Sequence, residues 1–303
     1  LSRNLGEVYG VFGVFHPKKD KWRLLGVDYL ANNSAEFQGL EALEDLVKKI
    51  SPPKWPWKID QALADKGKEI FARKTEQGGC ADCHGIKPGQ TRFRDRKTWA
   101  TPLMDVGTDS KEYEILARTV KTGVLEGAKI PFLASPLKPV DTAFNVLGTS
   151  VLGSILQHYV PVLMKTEEEA GMKKSTQPPF PPETESLRDA FIARPAEAKP
   201  SYPYESRVLQ GIWAAAPYLH NGSVPTLAEL LKPAAERISS FKIGPAYDIV
   251  NVGLATEQNK FDYMLETTDC SDRNSGNSRC GHEFGTKLSA EEKKALLEYL
   301  KTL

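Results

Sequence analysis

The chain contains one C-x-x-C-H pentapeptide, Cys80-Ala81-Asp82-Cys83-His84, and no other stretch constrains it as tightly. Two thiols three positions apart can each add to a vinyl group of one porphyrin, while the next residue sets an imidazole under the iron. This is the attachment signature of a c-type haem. The same letters admit two other readings. A redox C-x-x-C pair belongs in a thioredoxin-like βαβ setting, which the flanking pattern lacks. A zinc site needs a second ligand pair, and Cys270 and Cys280 are available to supply it. The motif favours one haem c, held covalently by Cys80 and Cys83 with His84 as a ligand to the iron.

Charge and cysteine usage narrow the setting. Forty basic and 39 acidic side chains leave a net charge of +1 over 303 residues, and no polybasic face points to nucleic acid. A chain of this length can hold one large domain or two, so core size is not limiting. Cys270 and Cys280 enclose the polar loop Ser271 to Arg279, and closing it by a disulfide fits an oxidising compartment, as does covalent haem. Leu1 to Glu7 contain no basic segment followed by an apolar one, so any export signal is expected to have been removed or to lie outside this stretch. The most apolar run, Val140 to Met164, is interrupted by Asn145, Thr149, Ser150, Ser154, Gln157 and His158. It falls short of the ~20 apolar residues of a spanning helix. The expectation is a soluble periplasmic or secreted protein with no transmembrane segment.

Residues 1–59 read as a covering segment. Gly10 and Gly13 break its first apolar residues, a helix is predicted over 35–50 from Phe37, Leu40, Leu43, Val47 and Ile50, and Trp55-Pro56-Trp57 forms a stiff linker. Residues 60–303 read as the haem domain. Asp60 is a candidate N-cap for a helix carrying Leu63, Gly67, Ile70 and Phe71 and ending near Gly78-Gly79. Ser289-Ala290-Glu291-Glu292 is a capping box for a closing helix with Leu296, Tyr299, Leu300 and Leu303 on one stripe. Between them lie insertions at about 100–205. These comprise a helical run over 140–164 and a proline-rich stretch over 177–204, expected to be extended with one short helix near 187–193.

Two helices, one before the haem motif and one closing the chain, resemble the class I cytochrome c arrangement, in which Gly67 and Phe71 would sit at the crossing. The resemblance implies a mainly α fold with a cytochrome c-like core and long loop-rich and helical insertions.

A second iron ligand decides between an open and a six-coordinate haem. The candidates are His16, His158, His220, His282, Met104, Met164, Met172 and Met264. Position singles out His220, which lies between Pro217 and a tight Asn221-Gly222 turn, with a new helix expected near Thr226. The competing reading is a turn histidine bonded to backbone. Trp213, Tyr218 and Phe132 are candidates to line the porphyrin, although aromatic residues more often fill a core. Arg207 is a candidate partner for a propionate, or a surface charge. His282 reads as a residue fixing the 270–280 loop or touching a propionate, with a local structural hydrogen bond the stronger alternative.

The run from Ala216 to Leu227, APYLHNGSVPTL, is similar to a motif of the dihaem cytochrome c peroxidase relatives. It is closest to their rubber-oxygenase (RoxA-like) branch. Gly281-His-Glu-Phe-Gly-Thr286 and Arg3-Asn-Leu-Gly-Glu-Val8 resemble the same branch. The resemblance implies that His84 and His220 are the two axial ligands of a low-spin, electron-transferring haem in the C-terminal half of such a protein. Those enzymes carry two C-x-x-C-H motifs, and this chain has one, so the roles of their oxygen-binding half do not carry over. The sequence therefore reads as a c-type cytochrome for electron transfer, served by a redox partner protein or a second haem domain. The alternatives are a haem-dependent peroxidase or dioxygenase, or the C-terminal part of one.

Overall fold

A computed structural model of the chain describes residues 1–23, 25–47, 49–85, 102–129, 135–160 and 201–303. The expected helix near 187–193, the proline-rich stretch before 201 and Phe132 lie outside them. The described residues form two compact units, one built mainly from 1–51 and 114–160, the other from 52–85, 102–113 and 201–303.

The first unit is assembled on the helix Ala143–Tyr159, which Thr142 caps by accepting the Asn145 amide. Its residues from Thr149 to Gln157 are all buried. Val151 and Ile155 pack with Leu5 and Phe37, while Leu152 and Leu156 pack with Val27, Tyr29 and Leu137. Gln157 satisfies its buried amide on backbone, accepting the Tyr29 N–H and donating to the Val27 carbonyl, each at 2.7 Å. The predicted 35–50 helix spans Phe37–Val47. A helix also forms at Ser2–Val11, where Gly6 and Gly10 hide the apolar periodicity and burial of Leu5 supplies the anchor.

The second unit is organised by two crossing helices, Gln61–Phe71 and Ala290–Leu300. Asp60 caps the first by accepting the Leu63 amide, and Ser289 with Glu292 forms a complete capping box on the second. The crossing is tight at Gly67, where a Cβ would lie 2.0 Å from the carbonyl oxygen of Ala295. Phe71 meets Tyr299 edge to face with ring centres 5.3 Å apart. After Phe71 the chain makes a 3₁₀ turn, Thr75–Gln77, and then a short helix, Ala81–His84. Buried Ile70, Phe71, Tyr218, Val224, Leu227, Leu296 and Leu300 belong to one core.

The expected mainly α fold is corrected by this structure. Of the described residues, 36% are helical and 13% are strand, with eight helices and several small sheets, a mixed α/β composition. The five antiparallel strand pairs among the described residues are two or three residues long, such as Ser240–Lys242 with Met264–Glu266 and Leu103–Met104 with Tyr204–Glu205. Strands this short carry no readable alternation, so they pass as loop in the sequence. Among the described residues no helix is long and apolar enough to cross a membrane.

Candidate functional site

The second unit holds a cavity of about 570 Å³, within the ~300–1,000 Å³ range of pockets that bury most of a ligand. Cys80, Cys83 and His84 line it from one element, the short helix and its cap. Tyr218 and His220 line it from the turn after Pro217, and His282 lines it from the loop after Cys280. Most of the remaining wall is apolar, with Leu209, Leu231, Leu296 and Leu300 among its members.

His84 is held by its Nδ1, which donates to the carbonyl oxygen of Arg207 at 2.5 Å and leaves Nε2 uncommitted. Such a bond fixes the tautomer and ring orientation of a metal-binding imidazole. Burial holds the His84 ring below the usual histidine range, against the pull of that carbonyl. The ring is therefore neutral and able to bind a metal near neutral pH. Burial, with Cys83 adding to it, pushes the Cys80 thiol up to about 11. That is the opposite of what a reactive redox C-x-x-C pair requires. The sulfurs of Cys270 and Cys280 face each other and not Cys80 and Cys83, so they supply no second zinc-ligand pair. Among the described residues no group of three or more His, Cys, Asp or Glu side chains is placed to hold a metal ion. Two thiols and a neutral imidazole on one wall of a ligand-sized apolar cavity fit a covalently held porphyrin better than either alternative.

The two remaining cavity imidazoles differ. The His220 ring is exposed and stacks face to face on Tyr204, centroids 3.9 Å apart. The His282 ring centre lies 6.0 Å from that of His84. Two imidazoles bound to opposite sides of one iron, at metal–nitrogen distances of about 2 Å, have ring centres roughly 6 Å apart. His282 Nδ1 is enclosed and finds no hydrogen-bond partner among the described residues. Burial, reinforced by coupling to the neighbouring His84 ring and by the Arg237 guanidinium, pushes the ring down to about 4. An orphaned buried polar atom calls for an explanation, and a bound group supplies one.

The backbone at His282 is pinned. Its φ is 51°, in the left-handed region where histidine is among the few tolerated side chains. Its N–H donates to the Val106 carbonyl at 2.9 Å. Gly281, at φ 78°, passes so close to Gly107 that a Cβ would lie 2.3 Å from its carbonyl carbon. The buried guanidinium of Arg237 clamps the same stretch of chain, donating to the carbonyl oxygens of Arg279, Gly281 and His282 at 2.6, 2.8 and 3.2 Å. Nothing in the local sequence marks Arg237 as a clamp on this loop, because the three carbonyls that it holds there lie 42 to 45 residues further on.

The other residues singled out in the sequence fall as follows. Tyr218 is on the cavity wall, 4% exposed. Trp213 is not on the wall: its neighbours Ile212 and Ala215 are, and its indole packs against Trp55. Arg207 is exposed at the cavity edge. His158 stacks on Phe37 in the first unit, and His16 is exposed.

A C-x-x-C-H helix opening onto an apolar cavity that contains further imidazoles fits the site of a c-type cytochrome domain. Comparison with known proteins agrees, because residues 203–242 match the family described as RoxA-like, cytochrome c-like. That stretch carries His220, Tyr218 and Arg237. The chain is 30% identical, over its whole length, to the uncharacterized protein y4iJ of Sinorhizobium fredii (strain NBRC 101917 / NGR234), covering 50% of that protein. It is 27% identical over 84% of its length to the uncharacterized protein y4iM of the same organism, covering 51% of it. The chain thus spans about half the length of the curated relatives it matches.

Proposed function

We propose that the chain carries one haem c, bound covalently through Cys80 and Cys83, and serves as an electron-transfer domain in the periplasm or outside the cell. When bound, the haem supplies a one-electron couple whose potential depends on its axial ligands, burial and surrounding charge. The protein's residues orient the ligands and exclude water. His84, the last residue of the motif, would be one iron ligand, oriented by the Arg207 carbonyl. His282 would be the second, ahead of His220. The convergence of Cys80, Cys83, His84 and His282 on one cavity carries this reading. A Cys270–Cys280 disulfide, joining residues ten apart in sequence, would steady the loop that ends at His282. The partner is a redox protein or a second haem domain.

Extraction with acidified acetone tests the attachment. Haem is expected to stay with the polypeptide in the native protein and to leave it when Cys80 and Cys83 are both replaced by Ser. Release from the native protein overturns the covalent assignment.

A second reading is that the chain is the electron-handling part of a larger haem peroxidase or dioxygenase, which the doubled length of y4iJ and y4iM favours. Carbon monoxide separates an open iron from a closed one. An unchanged ferrous spectrum supports an electron-handling haem, which both readings require, and a rapid shift overturns both by placing an open iron in this chain.

A further inference from the structure

We propose that the Thr108 hydroxyl accepts the Nδ1–H of His282 when Nε2 of that ring binds iron, which makes Thr108 a positioning residue that sets the reduction potential of the haem. The inference deepens the carrier reading and rests on its assignment of His282.

Thr108 and His282 both line the cavity. Each keeps one enclosed side-chain atom, Thr108 Oγ1 and His282 Nδ1, that finds no hydrogen-bond partner among the described residues. Thr108 as a whole is only 4% exposed. The two residues sit on segments that run against each other. The His282 N–H donates to the Val106 carbonyl at 2.9 Å, and a Cβ on Gly281 would lie 2.4 Å from the Thr108 amide nitrogen. Two orphaned polar atoms on touching segments each call for an explanation, and one bond between them supplies both. The main chains are pinned, Thr108 by Arg273 and His282 by Val106 and Arg237, so side-chain torsions alone remain to bring the two atoms together.

The chemistry of the ring asks for such an acceptor. An imidazole bound to a metal through one nitrogen carries its proton on the other and donates it, to a carbonyl, a carboxylate or water in most sites. His84 meets this rule through the Arg207 carbonyl. Around His282 the carbonyls already carry donors. That of Val106 takes the His282 backbone N–H, that of Thr108 takes Arg273 Nε at 2.6 Å, and those of Gly281 and His282 itself take the Arg237 guanidinium. The Thr108 hydroxyl carries none, and a hydroxyl can accept as well as donate. A donated Nδ1–H makes the ligating nitrogen more basic, which favours ferric over ferrous iron and lowers the potential. Removing the acceptor therefore raises it. Valine keeps the shape of threonine and lacks the hydroxyl, whereas serine keeps the hydroxyl.

The test is a redox titration of the haem-loaded protein. In Thr108→Val the preference of the site for ferric iron should fall about tenfold, the lower end for losing a partner behind a metal ligand, which raises the one-electron midpoint by about 59 mV. Thr108→Ser should restore the native midpoint. Cyanide, followed by the optical spectrum, should displace His282 from ferric iron about tenfold more readily in the valine variant than in the native protein or the serine variant. Thr108→Val made in a His282→Met background should leave the midpoint where it was, because methionine has no N–H to donate. Three results each overturn the Thr108 assignment alone: a native midpoint and cyanide affinity in Thr108→Val, a serine variant that behaves like the valine one, or an equal shift in the His282→Met background, which would mean that the hydroxyl acts on the haem itself. A low-spin ferric spectrum unchanged in His282→Ala overturns the ligand assignment beneath it instead.

Discussion

The Cα of Gly67 faces the Ala295 carbonyl so closely that a side-chain carbon at position 67 would sit 2.0 Å from its oxygen. Backbone thus meets backbone where the helix before the haem motif crosses the closing helix. Gly67→Ala must push the two apart and disturb the buried cluster of Ile70, Phe71 and Leu296. The expected loss is about 1–3 kcal/mol, the usual cost of overpacking a tight core, read by denaturant unfolding. A variant as stable as the native protein contradicts the close crossing.

Arg237 ties the His282 loop to the 229–238 segment through backbone carbonyls alone. Lysine cannot reproduce a five-donor planar fork. Arg237→Lys and Arg237→Met should each destabilise the second unit by roughly 2–5 kcal/mol, since buried charge-assisted bonds are lost or carbonyls are left unpaired. Hydrogen exchange should rise first at Arg279 and His282. Unaltered protection there contradicts the clamp.

Asp105 gives the protein an acid-sensitive contact. Burial pushes its carboxyl up, but the Arg273 guanidinium and the amides of Tyr202 and Gly107 outweigh this and hold it below the ordinary carboxylate range. Because the folded group releases its proton at lower pH than the unfolded one, the contact contributes fully above about pH 4, the unfolded aspartate value. Its contribution is lost as pH falls through the lower folded value. Asp105→Asn should flatten the fall in stability between about pH 5 and 3, measured by unfolding at several pH values. An identical pH slope in the variant contradicts the assignment.

Local features are legible in the sequence. Cys80 to His84, the Asp60 cap and the Ser289–Glu292 capping box each depend on neighbouring residues, whereas the close approach of Gly67 to Ala295 is expected only from the cytochrome c resemblance. The pairing of distant segments is not. His282 reads alone as a loop histidine, and only the chain's return through Gly281 against Gly107 brings it to 6.0 Å from His84. His220, expected from a rigid turn, does reach the cavity but stacks on Tyr204, whose two-residue strand leaves no periodic signal. The glycines of Ser2–Val11 conceal that helix, and Trp213, expected at the porphyrin as an aromatic residue, packs on Trp55 instead.

Paramagnetic resonance of the ferric, haem-loaded protein tests the central claim most directly, because it reports whether both axial positions hold strong ligands. The native protein and His220→Ala should be low-spin, and His282→Ala should turn high-spin. A high-spin His220→Ala beside an unchanged low-spin His282→Ala would contradict the arrangement and return the second ligand to His220.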